Sequence, residues 1–250
     1  MNVIWISANK FGYELLKEAV TLKKANISKI ITLSDKAKTV MYDYIEKERW
    51  YDFGIDVIEI EDINEDKDLI KNLSPDLIIL CGWRQVIKKE ILSIPKNGVV
   101  GFHPTLLPVG RGPAPIINSI LHGFTTSGVT IFYLSDGIDD GDIIGQEKFA
   151  IEDLDHAEEV YNKIVDAGKK LVKTYFPLLI EGNTPRKPQD HSKASIFQKP
   201  DLQNNEINFE EETIEEIYKK IRALSKPYKG AYIKKNGKKL VIWRAELLER

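Results

Sequence analysis

The sequence predicts an α/β protein: a mostly parallel sheet with helices on both faces, plus a small C-terminal helix–hairpin subdomain. Three observations predict it. Short β-branched apolar runs alternate with segments of helical periodicity over the first 180 positions, the pattern of successive strand–helix–strand units. One run, Val99-Val100-Gly101-Phe102, stops at His103-Pro104, where the proline forces extended backbone on the histidine. After residue 205 the style changes to one helix and two alternating arms joined at Asn236-Gly237, a strong type I′ turn signal.

The elements follow in order. Residues 2–7 read as a buried strand, 11–24 as a helix with Leu15, Leu16, Ala19 and Val20 at helical spacing, and 27–33 as a second strand. Residues 38–50 read as helical, ending in Trp50-Tyr51. A third strand is expected at 55–60, a helix at 64–72, a fourth strand at 76–80 and a short fifth at 99–102. Residues 113–121 read as a helix with proline in its first turn, where the missing N–H costs nothing. Strands at 129–134 and 143–149 flank an acidic Gly-rich loop, and 155–180 form a long amphipathic helix that Asp153 or Asp155 can cap. With right-handed crossovers this is a Rossmann-like arrangement, in which ligands bind beyond the carboxyl ends of strands. Residues 1–180 are expected as a catalytic domain, 181–205, with Pro185, Pro188 and Pro200, as a linker or a crossing loop, and 206–250 as the small subdomain. That last piece is too short to bury a large core alone, so it is expected to pack on the first domain or to make a homodimer through its hairpin.

Composition excludes several classes. The formal charge of -2 gives no global pull toward nucleic acid or an anionic membrane. Lys219, Lys220, Arg222, Lys226 and Lys229 gather late, but Glu210, Glu211, Glu212, Glu215 and Glu216 precede them, as on a solvated helix face. A single cysteine, Cys81, excludes an internal disulfide, suits a reducing cytoplasm, and ends an apolar run as a structural thiol does. No basic leader is seen and no apolar stretch approaches the ~20 residues of a membrane span, so a cytoplasmic location is expected. No His/Cys cluster has metal-ligand spacing, so no metal is expected; His122, His156 and His191 are scattered and expected at the surface.

His103 is the candidate for proton transfer to or from an amine or carbonyl. Gly110, Arg111 and Gly112, just before a helix start, can approach a ligand closely and suit an anion. Asp139 is the proposed partner, although spacing alone does not choose among Asp136, Asp139, Asp140 and Asp142.

These residues carry a resemblance. Gly98 followed by His103-Pro104, Leu106-Leu107-Pro108, Arg111-Gly112 and Ala114-Pro115-Ile116, then Gly128-Val-Thr-Ile131, then Ile138-Asp-Asp-Gly-Asp142, resembles the formyltransferase family. The likeness is close over residues 75–150 and in pattern only before them. That family uses 10-formyltetrahydrofolate and includes methionyl-tRNA, glycinamide ribonucleotide and sugar-nucleotide N-formyltransferases. The resemblance implies a catalytic Asn, His and Asp. The His falls on His103 and the Asp on Asp139; the Asn position holds Gly101. Losing one oxyanion donor typically costs about 10²–10³ in rate. Either a water, Asn118 or a backbone N–H replaces it, or His103 acts alone, or the chain is a non-catalytic folate- or nucleotide-binding relative.

The resemblance also implies a mechanism without metal: an amine attacks the formyl carbon, His103 stabilises the oxyanion and shuttles a proton, and Asp139 orients His103. The implied folate site comprises Trp83, Arg84, Gln85, Val86 and Ile87 with Ile138, Asp139, Asp140 and Asp142. The tail, residues 221–243, is similar to that of sugar-nucleotide N-formyltransferases, so the expected acceptor is the amine of a nucleoside-diphosphate-linked amino deoxy sugar for surface glycans. Lys10 and Arg111 are candidates for the diphosphate, and Phe11, Tyr13 and Tyr228 for stacking on the base. The alternative is another small-amine enzyme or a truncated methionyl-tRNA type.

Overall fold

The computed structural model describes residues 1–22, 26–201 and 204–248. Five strands run parallel: β1 (Val3–Ile6), β2 (Ile27–Leu33), β3 (Asp56–Ile60), β4 (Leu77–Leu80) and β5 (Val99–His103). β6 (Thr126–Tyr133) and β7 (Ile143–Ala150) return antiparallel, giving the order β3-β2-β1-β4-β5-β6-β7. The helices are α1 (Lys10–Ala19), α2 (Lys67–Asn72), α3 (Lys89–Leu92), α4 (Pro115–Leu121), α5 (Ala157–Glu181) and α6 (Ile214–Leu224).

Strand alternation splits the core in two. Val3, Trp5 and Val100 face a large cluster with Leu15 and Leu16 of α1, Ile117 of α4 and Ile164 and Leu171 of α5. Ile4, Ile6 and Val99 face a smaller one with Ile70 of α2 and Ile91 of α3, on which Leu80, Trp83, Ile87 and Leu134 pack. Cover on both faces explains why these strands are apolar throughout. From β1 the chain steps outward to β2 and β3, then returns to β4, so the topological crevice lies between β1 and β4. β5, ending at His103, is the next strand over.

Three expectations are corrected. Residues 38–50 are not a helix; only Lys47–Phe53 coil, as a 3-10 turn. Tyr44 instead pairs with Asn9, and the Asp43 carbonyl accepts from Lys10 N at 2.8 Å, so backbone bonding to the first loop replaces local helix bonding. α5 is capped at His156, whose N–H donates to Glu159 at 3.0 Å, and not at Asp153 or Asp155; Asp155 accepts from Glu152 N at 2.7 Å. α1 ends at Ala19; the end expected at Lys24 lies outside the described residues.

The C-terminal piece docks on the sheet domain. Ile217, Ile221, Leu224 and Ala231 join the same cluster as Ile116, Ile117 and Ile120 of α4. Arg222 donates to the Glu152 and Asp155 carbonyls, both at 2.8 Å. β8 (Ala231–Lys235) and β9 (Lys238–Ile242) form the hairpin, with left-handed φ at Asn236 and Gly237. Between α5 and α6, Lys187 pairs with Ile143 and Ile196 with Arg111, so this stretch crosses the open end of the sheet.

Candidate active site

His103 is the last residue of β5 and is 7% exposed. Its Nε2 lies 2.8 Å from the Gly110 carbonyl. A carbonyl only accepts, so Nε2 carries the proton and the ring is held from that side. Nδ1 faces the Asp139 carboxylate at 3.4 Å. Spacing left four carboxylates open, and the structure brings Asp139 alone of the four to the ring. Asp139 sits at φ +47°, and its carboxylate accepts from Gly112 N at 2.8 Å. Gly110 and Gly112 take φ of +73° and +92°, which bends this loop back over the histidine. The loop expected to meet an external anion therefore donates to Asp139. Thr130 is fully buried behind it and fastens the preceding turn, donating to Thr105 O at 2.7 Å and accepting from Leu107 N at 3.1 Å.

Gly101 lies two residues back on the same face of β5. A Cβ built there would stand 2.4 Å from Leu134 Cδ1. Leu134 thus reaches the place where the first atom of a side chain at 101 would stand. Asn118 is not its substitute: its Nδ2 already donates to the carbonyls of Pro113, Ala114 and Gln198 at 3.0–3.1 Å.

The loop after β4 is tied down on the β3 side. Gln85 donates to Glu61 O at 2.7 Å and accepts from Ile63 N at 3.0 Å, and Asn64 donates to Val86 O at 2.9 Å. Val86 and Ile138 are exposed at the two loop tips, while Trp83 and Ile87 pack with Leu134 on the smaller core. Lys89 and Asp136, 3.1 Å apart, link the two loops. Asp140 accepts from Ser135, and the Asp142 carbonyl accepts from Tyr133 N at 2.9 Å. The indole N–H of Trp83 is buried with no partner among the described residues.

The proposed substrate residues separate. Lys10 is exposed at the start of α1, 6.0 Å over the Tyr161 ring. Phe11 is 4% exposed and packs edge-on against Phe102, so it has no face for a base. Arg111 is 6% exposed and bonded to Gln189 at 2.7 Å, so it is not a free cation. Tyr228 is half-buried, edge-on to Tyr42 at 5.7 Å, and burial raises its phenol pKa. Tyr13 packs on Trp50 and Phe53. Of the scattered histidines, His156 is buried at 2%, against expectation, because it anchors the C-terminal segment through Ala245 N. His122 is exposed and stacks on Phe197, and His191 is exposed beside Arg111 at 3.3 Å.

Sequence reasoning missed a polar node beside Lys10. The buried Asp43 carboxylate accepts from Asn9 at 2.8 Å, Tyr161 at 2.8 Å and Arg84 at 3.1 Å, which joins the β1 loop, the β4 loop and α5. Burial and then this carboxylate push the Tyr161 phenol far up, so it acts as a fixed donor. Cys81 is fully buried, and burial holds its thiol protonated. Among the described residues no group of three His, Cys, Asp or Glu side chains is placed to hold a metal ion, and no helix is long and apolar enough to cross a membrane.

Comparison with known proteins converges on one group. A family model described as formyl transferase matches residues 3–175, and one described as formyl transferase, C-terminal domain, matches 201–250. The methionyl-tRNA formyltransferase of Halalkalibacterium halodurans is 32% identical over 251 residues, covering 98% of this chain and 78% of that protein. A sugar N-formyltransferase structure from Shewanella sp FDAARGOS_354 superposes with a TM-score of 0.79 at 22% identity, over 100% of this chain and 99% of that one. An N-formyltransferase from Helicobacter canadensis, solved with folinic acid and dTDP-3-aminofucose, gives 0.72 at 23% identity, over 94% of this chain and 84% of that one.

Proposed function

The chain belongs to the formyltransferase family, and from that premise we propose that it moves a formyl group from 10-formyltetrahydrofolate to the amine of a nucleoside-diphosphate-linked amino deoxy sugar. The observation that carries the chemistry is the His103–Asp139 pair at the carboxyl edge of β5. With Nε2 fixed on Gly110, Nδ1 is the nitrogen that faces the reacting atoms. Its lone pair takes the proton from the attacking amine, the N–H so formed donates to the tetrahedral oxyanion, and the proton then passes to the folate nitrogen as the bond from that nitrogen to the formyl carbon breaks; the Asp139 carboxylate favours the charged ring in between. Such transfers contribute about 10²–10⁴ in rate. The folate supplies the activated formyl carbon, and Trp83 with the 82–87 loop holds its ring.

Two features support the acceptor class. The net charge of -2 is poor for RNA, whose binding rests on phosphate neutralisation. A cavity of about 420 Å³ opens at the carboxyl ends of β1 and β2, among Thr32, Ser34, Tyr44 and Trp50, with the Ser34 hydroxyl buried and unpartnered. β2 lies three strand spacings from β5, about 14 Å, which is the reach of a nucleotide sugar from base to amine. Lys10 stands between them. The products would enter surface glycans, with the enzyme in the cytoplasm and working as a homodimer. Identity to methionyl-tRNA formyltransferase favours a second reading, with aminoacyl-tRNA as acceptor.

The test is tetrahydrofolate release with dTDP-, UDP- and GDP-linked amino deoxy sugars, and with glycinamide ribonucleotide and methionyl-tRNA as further arms. Release with one sugar nucleotide, and a mass gain of one carbonyl on it, supports the proposal. Release with methionyl-tRNA alone replaces the sugar reading with the second one.

A further inference from the structure

One side chain from the crossing stretch enters the site. Gln189, 5% exposed, makes four hydrogen bonds. Its Nε2 donates to the carbonyls of Asp139 at 2.9 Å and Gly141 at 2.8 Å. Its Oε1 accepts from Arg111 Nε at 3.2 Å and Nη2 at 2.7 Å. Only an amide side chain offers two donors and two acceptor sites in one plane, and here all are used between two loops. One loop carries Asp139; the other carries Gly110, which holds His103, and Gly112, which holds the Asp139 carboxylate. Asp139 is in the left-handed region, which a non-glycine residue keeps only where its surroundings fix it. Arg111 makes no ion pair among the described residues, so its charge strengthens the bond to Gln189.

We infer that Gln189 is a positioning residue for formyl transfer: it locks the backbone of Asp139 to the Arg111–Gly112 loop and thereby holds the carboxylate beside His103. The inference rests on the proposed role of the His103–Asp139 pair. Arg111, read from the sequence as a diphosphate ligand, is the other half of this clamp.

The test uses Gln189→Ala and Gln189→Glu in the full chain, followed by residue-resolved amide hydrogen exchange and by turnover. Glu keeps an acceptor for Arg111 but removes both donors to the Asp loop. Both variants are expected to lose about tenfold in protection at the amides of Arg111 and Gly112, which bond Ser195 and the Asp139 carboxylate, the scale of one hydrogen bond, while β5 and β6 keep theirs. kcat is expected to fall about 10²-fold, as for a small misplacement of a reacting group, with the KM for the formyl donor within about twofold. Wild-type protection at those amides, or wild-type kcat in Gln189→Glu, overturns the inference. So does a loss of protection spread through the whole sheet with kcat and KM worsening together, which marks general loosening. Exchange needs no acceptor. If protection falls locally while the wild-type protein forms no formylated product with any amine, the function proposal fails and the clamp stands.

Discussion

Gly101→Asn, alone and with Leu134→Ala, reads how this site is filled in place of the family's amide. Gly101 lies mid-strand in β5, so its backbone accepts a side chain. The obstacle is Leu134, whose Cδ1 is 2.4 Å and Cγ 3.6 Å from the new Cβ, with Phe132 Cε1 at 3.4 Å. The nearest atom is the free end of a leucine, so the expected overpacking is about 1–3 kcal/mol, at about 2–4 °C of melting temperature per kcal/mol in a chain of this size. Leu134→Ala alone empties a half-buried place in the smaller core, at about 2–5 kcal/mol. Together each change relieves the other. The double variant is expected to melt above the sum of the single shifts by about 1–2 kcal/mol of coupling. With the amide restored beside His103, turnover should rise by about 10²-fold, the usual worth of one oxyanion donor. Thermal melts and single-turnover tetrahydrofolate release check both halves. Additive melting shifts would show that Leu134 does not occupy the amide's place. A double variant slower than wild type would show that the apolar filling is itself required, and the missing-donor argument would be wrong.

His103→Ala should abolish transfer with the fold intact by circular dichroism. Asp139→Asn should lower kcat by about 10²–10⁴ and Asp140→Asn, whose carboxylate only meets Ser135, by little; the reverse order would move the acid to Asp140. Burial, with Arg244 and Arg222 nearby, holds the pKa of His156 below the usual histidine range, and its Nε2 accepts from Ala245 N. The unfolded chain takes that proton near pH 6.5, so this contribution is present above pH 6.5 and is lost as pH falls below it. Wild-type denaturation midpoints should therefore drop more steeply below pH 6.5 than those of His156→Gln; parallel curves would exclude His156 as the cause. Asp43→Ala leaves Asn9, Tyr161 and Arg84 without their shared acceptor and should cost about 1–3 kcal/mol by urea unfolding, and Asp43→Asn less; an unchanged midpoint would mean the three donors find other partners.

What the sequence discloses follows the range of the interaction concerned. The order of strands, His103 at a strand's end and the Asn236-Gly237 hairpin are local patterns, and the residues themselves announce them. Residues 38–50 carry real helical spacing in Val40, Met41, Tyr44 and Ile45, yet Tyr44 and Asp43 bond to Asn9 and Lys10, and that distant pairing outweighs local propensity. Phe11 and Arg111 are residue types suited to ligands, but packing against Phe102 and bonding to Gln189 take them inward. Gly101 shows the amide missing but not what fills its place, because Leu134 arrives from beyond β6. Gln189 was invisible for the same reason: it stands in a polar, proline-rich stretch with no periodicity, far along the chain from the Asp139 it holds.

The plug at Leu134 and the clamp at Gln189 bear on each other. An amide beside His103 would give the developing charge a second donor and tolerate some drift in the first. Here that side is apolar, so under the proposed mechanism stabilisation of the oxyanion depends on one histidine, which the Asp139 carboxylate faces. A hydrogen bond to a charged oxygen weakens steeply once the angle and distance depart from ideal, so a site with one donor gains more from rigidity than a site with two. The structure supplies that rigidity in several places: Gly110 on Nε2, Gly112 on the carboxylate, Thr130 under the turn, and Gln189 across both loops. The stretch between α5 and α6, expected from the sequence as a linker or crossing loop, thus bonds the Asp139 loop from outside the sheet. Substitutions there should act on kcat while leaving the substrates' own contacts untouched.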